Sequence, residues 1–187
     1  MDEQRELEER IARELDGVSA SRAAFDSAFL GALGRAFRFL CRHWLLIANL
    51  ANGAITLGAI AVPVIMWAGY GPVGTALFSA YHQLCEQRPE RSYFLLGYQM
   101  AMDQRMMAIY GSSLLAGLFF LPLRSRRPKP LSWGGYFLLL LPMAVDGTTQ
   151  LFGWRESNWM LRGVTGTLFG GGTVWLMYPW LERVLRR

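Results

Sequence analysis

Asp146 stands inside an otherwise uncharged run from Leu131 to Trp154, long enough to cross a bilayer. A lone carboxylate there costs roughly 2.5–3.5 kcal/mol on insertion scales and calls for a partner. Arg155 and Arg162 follow it closely, and Arg91 and Arg105 flank an earlier hydrophobic segment. Gln150 lies one turn after Asp146 on the same helix face, and Glu156 adjoins Arg155. An arginine fork matches a carboxylate bidentately, so one expectation is a buried Asp146–arginine pair tying two segments together. The other is an anion site. The arginines outnumber the nearby acids and leave positive charge for a small anion, a lipid headgroup or a quinone oxygen. General acid–base catalysis by Asp146 is chemically available, but no nucleophile is placed beside it.

The segments that must carry these groups are apolar. The chain of 187 residues is 52% hydrophobic and 18% charged, with a net charge of +5. Its basic residues fall between long apolar runs, which points to a bilayer and not to nucleic acid. Four uncharged stretches reach spanning length: residues 44–68, 106–123, 131–154 and 163–181. Two half-length apolar pieces, residues 73–84 and 93–102, read as interfacial or re-entrant. The expected fold is therefore all-α and polytopic, with four transmembrane helices and a re-entrant loop. The domain division is a leader over residues 1–43 and a membrane domain over 44–187.

Orientation follows from the arginines. Arg35, Arg38 and Arg42, then Arg124, Arg126, Arg127 and Lys129, then Arg183, Arg186 and Arg187 place ten basic residues on one side. The other side carries five, Arg88, Arg91, Arg105, Arg155 and Arg162, mixed with acids. The positive-inside rule puts both termini in the cytoplasm and the site at the outer face of the cell (inner) membrane. The first sixteen residues hold seven acids and three arginines, so no signal peptide is expected. Residues 2–16 read as a charged helix ended by Gly17. Phe25, Phe29, Leu33, Phe37 and Leu40 then form an apolar stripe opposed by Arg35, Arg38 and Arg42. Such a helix lies on an anionic membrane surface, packs on its own protein or meets a partner. Cys41 and Cys85 fall on opposite sides and cannot form a disulfide.

The loop before the second span runs His82-Gln83-Leu84-Cys85-Glu86-Gln87-Arg88-Pro89-Glu90-Arg91-Ser92, followed by Gln99, Asp103, Arg105 and Tyr110. The third span ends on Asp146-Gly147-Thr148-Thr149-Gln150, with Arg155, Ser157, Arg162, Thr165 and Gly166 beyond it. Over residues 81–170 the chain resembles a prokaryotic membrane-protein family known as domain of unknown function 2085. Its pattern is Cys-His-Gln-x-Pro-x-Arg-Ser, Cys-x-Arg-Cys-x-Gly-x-Tyr, and Asp-Gly-x-x-Gln…Arg-x-Ser…Arg-x-x-Thr-Gly. Cys85, Gln87, Pro89, Arg91 and Ser92 fit the first element, with Glu86 in place of His. Arg105 and Tyr110 fit the second, with Asp103 and Met106 in place of its cysteines and Ala108 in place of Gly. The last element survives nearly whole.

The resemblance implies a metal or redox centre built from the family's cysteines and histidine. This chain keeps one of those four groups. His82, Cys85 and Glu86 are weak ligand candidates, and no metal is expected. Glu86 and Asp103 are instead expected to pair with Arg88 and Arg105. The reading is a membrane protein whose polar site (Asp146, Gln150, Arg155, Glu156, Arg162, Arg91, Gln99, Asp103, Arg105 and Tyr110) binds a small polar or anionic ligand, or serves a membrane complex. A redox or metal-dependent membrane enzyme is the alternative. Expected partners are the bilayer and another membrane protein or a second copy, not nucleic acid.

Overall fold

The computed structural model describes residues 2–185, with side chains described for Glu6, Arg10, Arg22 and residues 25–185. The chain is mostly helical, and its contacts divide it into two compact units, residues 1–44 and 45–187. Helix α1 spans Asp2–Trp67, of which residues 45–67 are counted in the second unit. The second adds α2 (Gly71–Tyr81), strands β1 (Ser92–Leu95) and β2 (Tyr98–Asp103), and helices α3 (Gln104–Leu123), α4 (Trp133–Leu151) and α5 (Trp159–Leu185).

Helix boundaries follow local chemistry. Gly69, at φ +89°, ends α1, and the Tyr70 amide donates back to the Ile65 carbonyl (3.1 Å). Pro72 opens the first turn of α2, where its missing N–H is not needed. Asp103, Ser132 and Asn158 accept from the Met106, Gly135 and Leu161 amides at 2.8, 3.1 and 2.8 Å, satisfying first-turn donors of α3, α4 and α5.

Two expectations change. Gly17 does not end a helix. It lies inside α1, because a single glycine weakens a helix by only about 1 kcal/mol against alanine. The side chains of Leu7, Ile11 and Leu15 are not among those described, and Arg186 and Arg187 fall outside the described residues. The apolar piece 93–102, in a fold expected to be all-α, forms an antiparallel hairpin. Leu96 and Gly97 form its two-residue turn, both at positive φ, as such a turn requires.

The hairpin docks through β2. Ala101 and Met102 pack with Ala59 and Val62 of α1, and Phe78, Tyr81, Met106 and Tyr110 surround them. Tyr81 donates its hydroxyl to the Ile55 carbonyl (2.8 Å), fixing α2 on α1. α3 packs chiefly against α5, and α5 also receives α4. Glycines set the first of these contacts. A Cβ at Gly166 would lie 2.7 Å from the Arg105 carbonyl oxygen, and one at Gly170 would overlap the Ile109 carbonyl. At the other end of the bundle Arg124 pairs with buried Glu182 (2.7 Å).

The apolar surface faces outward. Two helical stretches, Phe25–Trp67 and Gln104–Arg126, are long and apolar enough to cross a membrane. Only 28% and 17% of their most apolar windows are buried in the protein. Leu115 and Phe119 of α3 and Phe137, Leu138, Leu141 and Val145 of α4 are exposed, whereas Asp146, Gln104, Arg162, Thr165 and Glu182 are buried. Contiguous exposed apolar surface over a polar interior suits a lipid solvent, in which buried ionisable groups turn toward one another. In the first unit Phe25, Phe29, Leu33, Phe37 and Leu40 are all exposed.

Gly170→Val is expected to lower thermal stability in detergent by about 1–3 kcal/mol, the usual cost of overpacking. Gly171→Val, whose new Cβ meets nothing within 4 Å, should stay close to wild type. Equal melting temperatures for the two variants would contradict the α3–α5 packing.

Candidate functional site

Asp146 projects from the last turns of α4 and is 1% exposed. Its Oδ2 accepts from the Arg105 guanidinium, at the start of α3, and from Ser157 Oγ (2.7 Å). Its Oδ1 accepts from Arg155, in the α4–α5 connection. One carboxylate thus joins α3, α4 and the segment leading into α5. Arg155 also donates through Nε to Thr149 Oγ1 (3.3 Å), one turn after Asp146. Arg105 is largely buried and Arg155 about half exposed, so the Asp146–Arg105 contact is the better shielded of the two. Gly166 allows it, because α5 lies directly against the backbone of Arg105.

Arg162 enters differently. It is 7% exposed in the first turn of α5, and its Nη1 donates to Gln104 Oε1 at 3.4 Å. Among the described residues it forms no ion pair. The charges of Arg91 and Arg105 act against its own, while those of Asp103 and Asp146 act with it. Arg162 lines a cavity of about 260 Å³ together with Arg91, Gln104 and Ser157. Asn158 and Trp159 at the start of α5 line it too, with exposed Glu90 and Glu156. Ser157 therefore faces both features: it donates to Asp146 and lines the cavity. The N-terminal end of α5, which carries the positive end of the helix dipole, opens onto the same space.

The loop before α3 is held by its own polar groups. Gln87, at φ +54°, donates to the Phe78 and Ala101 carbonyls (2.7 and 2.9 Å), and its Oε1 lies 3.3 Å from His82 Nδ1. Gln99 donates to the Gln87 carbonyl (2.6 Å) and to Ser92 Oγ (3.0 Å). Cys85 Sγ accepts from the Gln87 and Asp103 amides, both at 3.4 Å, and burial pushes its thiol pKa up. Glu86 pairs with Arg88 (2.6 Å), as its spacing suggests. Asp103 does not pair with Arg105: its carboxylate caps α3 instead, and Arg105 goes to Asp146. Among the described residues no three histidine, cysteine or acidic side chains cluster as a metal site would require.

The sequence candidates therefore separate. Asp146, Arg105 and Arg155 meet directly; Arg162, Arg91 and Glu156 line the neighbouring cavity; Gln99 and Asp103 hold the hairpin and its junction with α3. Tyr110 packs beside the apolar cluster of Ala59, Val62, Ala101 and Met102. Gln150 lies near Asp146 in sequence, but among the described residues its buried Nε2 has no hydrogen-bond partner. Ser157 and Gln104 join the site beyond those candidates. Ser157 had a signal in its place within Arg-x-Ser; Gln104, one polar residue at a helix start, had none.

A polar interior under outward-facing apolar helices, two of them long and apolar enough to cross a membrane, is the pattern of a membrane protein. The chain belongs to the DUF2085 family of predicted membrane proteins, whose model matches residues 85–176. It is 38% identical over 111 residues to an uncharacterised protein of Methanocaldococcus jannaschii, covering 57% of this chain and 69% of that one. It is 33% identical over 94 residues to an uncharacterised protein of Methanothermobacter thermautotrophicus, covering 49% and 82% respectively. No solved structure matches. The matched region holds the hairpin, Arg105, Asp146, Arg155 and Arg162 together.

Asp146→Asn is expected to cost about 3–5 kcal/mol of stability in detergent, because it strips two arginines of their carboxylate. Arg105→Gln should cost more than Arg155→Gln, which removes a half-exposed partner. Thermal unfolding of the three variants checks the order, and a neutral Asp146→Asn contradicts it. Buried Cys85, with its raised pKa, should react with iodoacetamide at pH 8 far more slowly in folded than in urea-unfolded Cys41→Ser protein. Equal rates would place the thiol at the surface.

Proposed function

We propose that this chain is a four-helix protein of the cell membrane that binds a small anionic group in the cavity beside Asp146. Arg162 carries the reading. A buried guanidinium with no carboxylate partner is costly to keep in place, and an arriving anion removes that cost. Arg91 and the N-terminal end of α5 converge on the same space and favour the same charge. Asp146 is not the ligand-binding group here: its two oxygens are already committed to Arg105, Arg155 and Ser157. It positions the start of α3 and the entry to α5, between which the cavity opens.

In this reading the C-terminal stretch of α1 from residue 44, with α3, α4 and α5, crosses the bilayer. Both termini lie in the cytoplasm and the hairpin on the opposite side, in keeping with the ten-to-five division of basic residues. The exposed apolar residues between Phe25 and Leu40 suit contact with the membrane surface. Service as a subunit of a larger membrane complex is compatible with this placement.

Inorganic phosphate is expected to raise the melting temperature of the purified protein, by about 2.7 kcal/mol of stabilisation at a hundred times its Kd. Arg162→Gln should abolish that response and, by removing an unpaired buried charge, leave the ligand-free protein as stable as wild type or more so. No phosphate response in the wild type would overturn the proposal. For topology, a membrane-impermeant maleimide should reach Gln83→Cys in intact cells and Ser125→Cys only after permeabilisation; the opposite pattern inverts the arrangement.

A further inference from the structure

The polar cavity does not stand alone. Trp159 forms part of its wall and also part of the wall of an apolar groove of about 350 Å³. That groove is lined by Tyr93 of the hairpin and by Met160, Gly163, Val164, Thr167 and Leu168 along α5. Its floor is open: a Cβ added at Gly163 would meet nothing within 4 Å. A site for a free inorganic anion has no use for an adjoining apolar channel, whereas an amphiphile fills both. Trp159, exposed at the junction, suits the boundary between headgroup and acyl region.

The charges of the cavity are more specific than an anion requires. Two guanidiniums, Arg91 and Arg162, and two carboxylates, Glu90 and Glu156, line it, and no ion pair forms among them. Arg162 is buried and Arg91 half-buried, while both glutamates are exposed. Positive charge therefore lies deep and negative charge at the rim. We infer that the ligand is an aminophospholipid, its phosphate on Arg162 and Arg91, its primary ammonium at Glu90 and Glu156, and an acyl chain in the groove beside Gly163. This inference rests on the reading of the cavity as an anion site and names the molecule that brings the anion.

The test is native mass spectrometry of the full chain, delipidated in detergent and titrated with dioleoyl phosphatidylethanolamine or dioleoyl phosphatidylglycerol. Glycerophosphoethanolamine and inorganic phosphate, which lack chains, are followed by melting temperature. One phosphatidylethanolamine per protein is expected, bound about tenfold more tightly than phosphatidylglycerol, the equivalent of 1.4 kcal/mol. Gly163→Phe should fill the groove and weaken the lipid about tenfold or more, while leaving the phosphate response intact. Glu90→Gln with Glu156→Gln should bring phosphatidylethanolamine down to the level of phosphatidylglycerol, and Arg162→Gln should remove both lipid and phosphate responses. Equal binding of the two lipids, or unchanged lipid binding in Gly163→Phe, overturns the inference. A phosphate response without lipid binding overturns it too and leaves the anion site standing; loss of both in the wild type overturns both.

Discussion

At the hairpin end of the bundle one carboxylate ties α3, α4 and the entry to α5 together. Asp146 receives Arg105 from α3, Arg155 and Ser157 from the α4–α5 connection, and is itself part of α4. In an apolar surrounding the alternative to these bonds is an uncompensated charge, so the arrangement is fixed more firmly than packing alone would fix it. Two consequences follow from one negative charge facing two positive ones. The segment leading into α5 is drawn against α3, and both carboxylate oxygens bond other donors while Arg162 turns to Gln104.

Backbone approach makes that ion pair reachable. Gly166 lets α5 rest on the carbonyl of Arg105, and Gly170 repeats the contact one turn later at Ile109. A larger residue at either position would separate α3 from α5, and with them Arg105 from the connection that carries Arg155 and Ser157. The Arg-x-x-Thr-Gly element thus combines two duties. Arg162 serves the cavity and Gly166 seats the helix, while Thr165 returns its hydroxyl to the Leu161 carbonyl (2.7 Å) and keeps its polar atom within its own helix.

Much of this was legible in the residues, because a lone acid in an apolar run must find a cation and only a few cations were in reach. Which of them it takes was not legible. Arg91, Arg105, Arg155 and Arg162 are equivalent on paper, and the choice depends on the glycine contact at residue 166 and on the bend of the connection. Asp103 misled for a related reason: two residues from Arg105 it resembles an ion-pair partner, but at the first residue before a helix the backbone amide of Met106 is the nearer claimant. The hairpin was hidden because a ten-residue apolar piece in a membrane sequence suggests lipid, and its strands bury residues on α1 and α2 instead of alternating cleanly. Tyr110, read as polar, contributes its ring to that same cluster.

The central claim is that Asp146 and Arg105 stabilise one another directly across the helix bundle. A double-mutant cycle measures this without depending on how costly each single change is. Unfolding free energies would be compared for wild type, Asp146→Asn, Arg105→Gln and the double variant, all in the same detergent. A coupling energy within the upper part of the usual range of about 0.5–3 kcal/mol for residues in contact is predicted, with the double variant less damaged than the two single losses added together. Strict additivity, with a coupling near zero, would contradict the account.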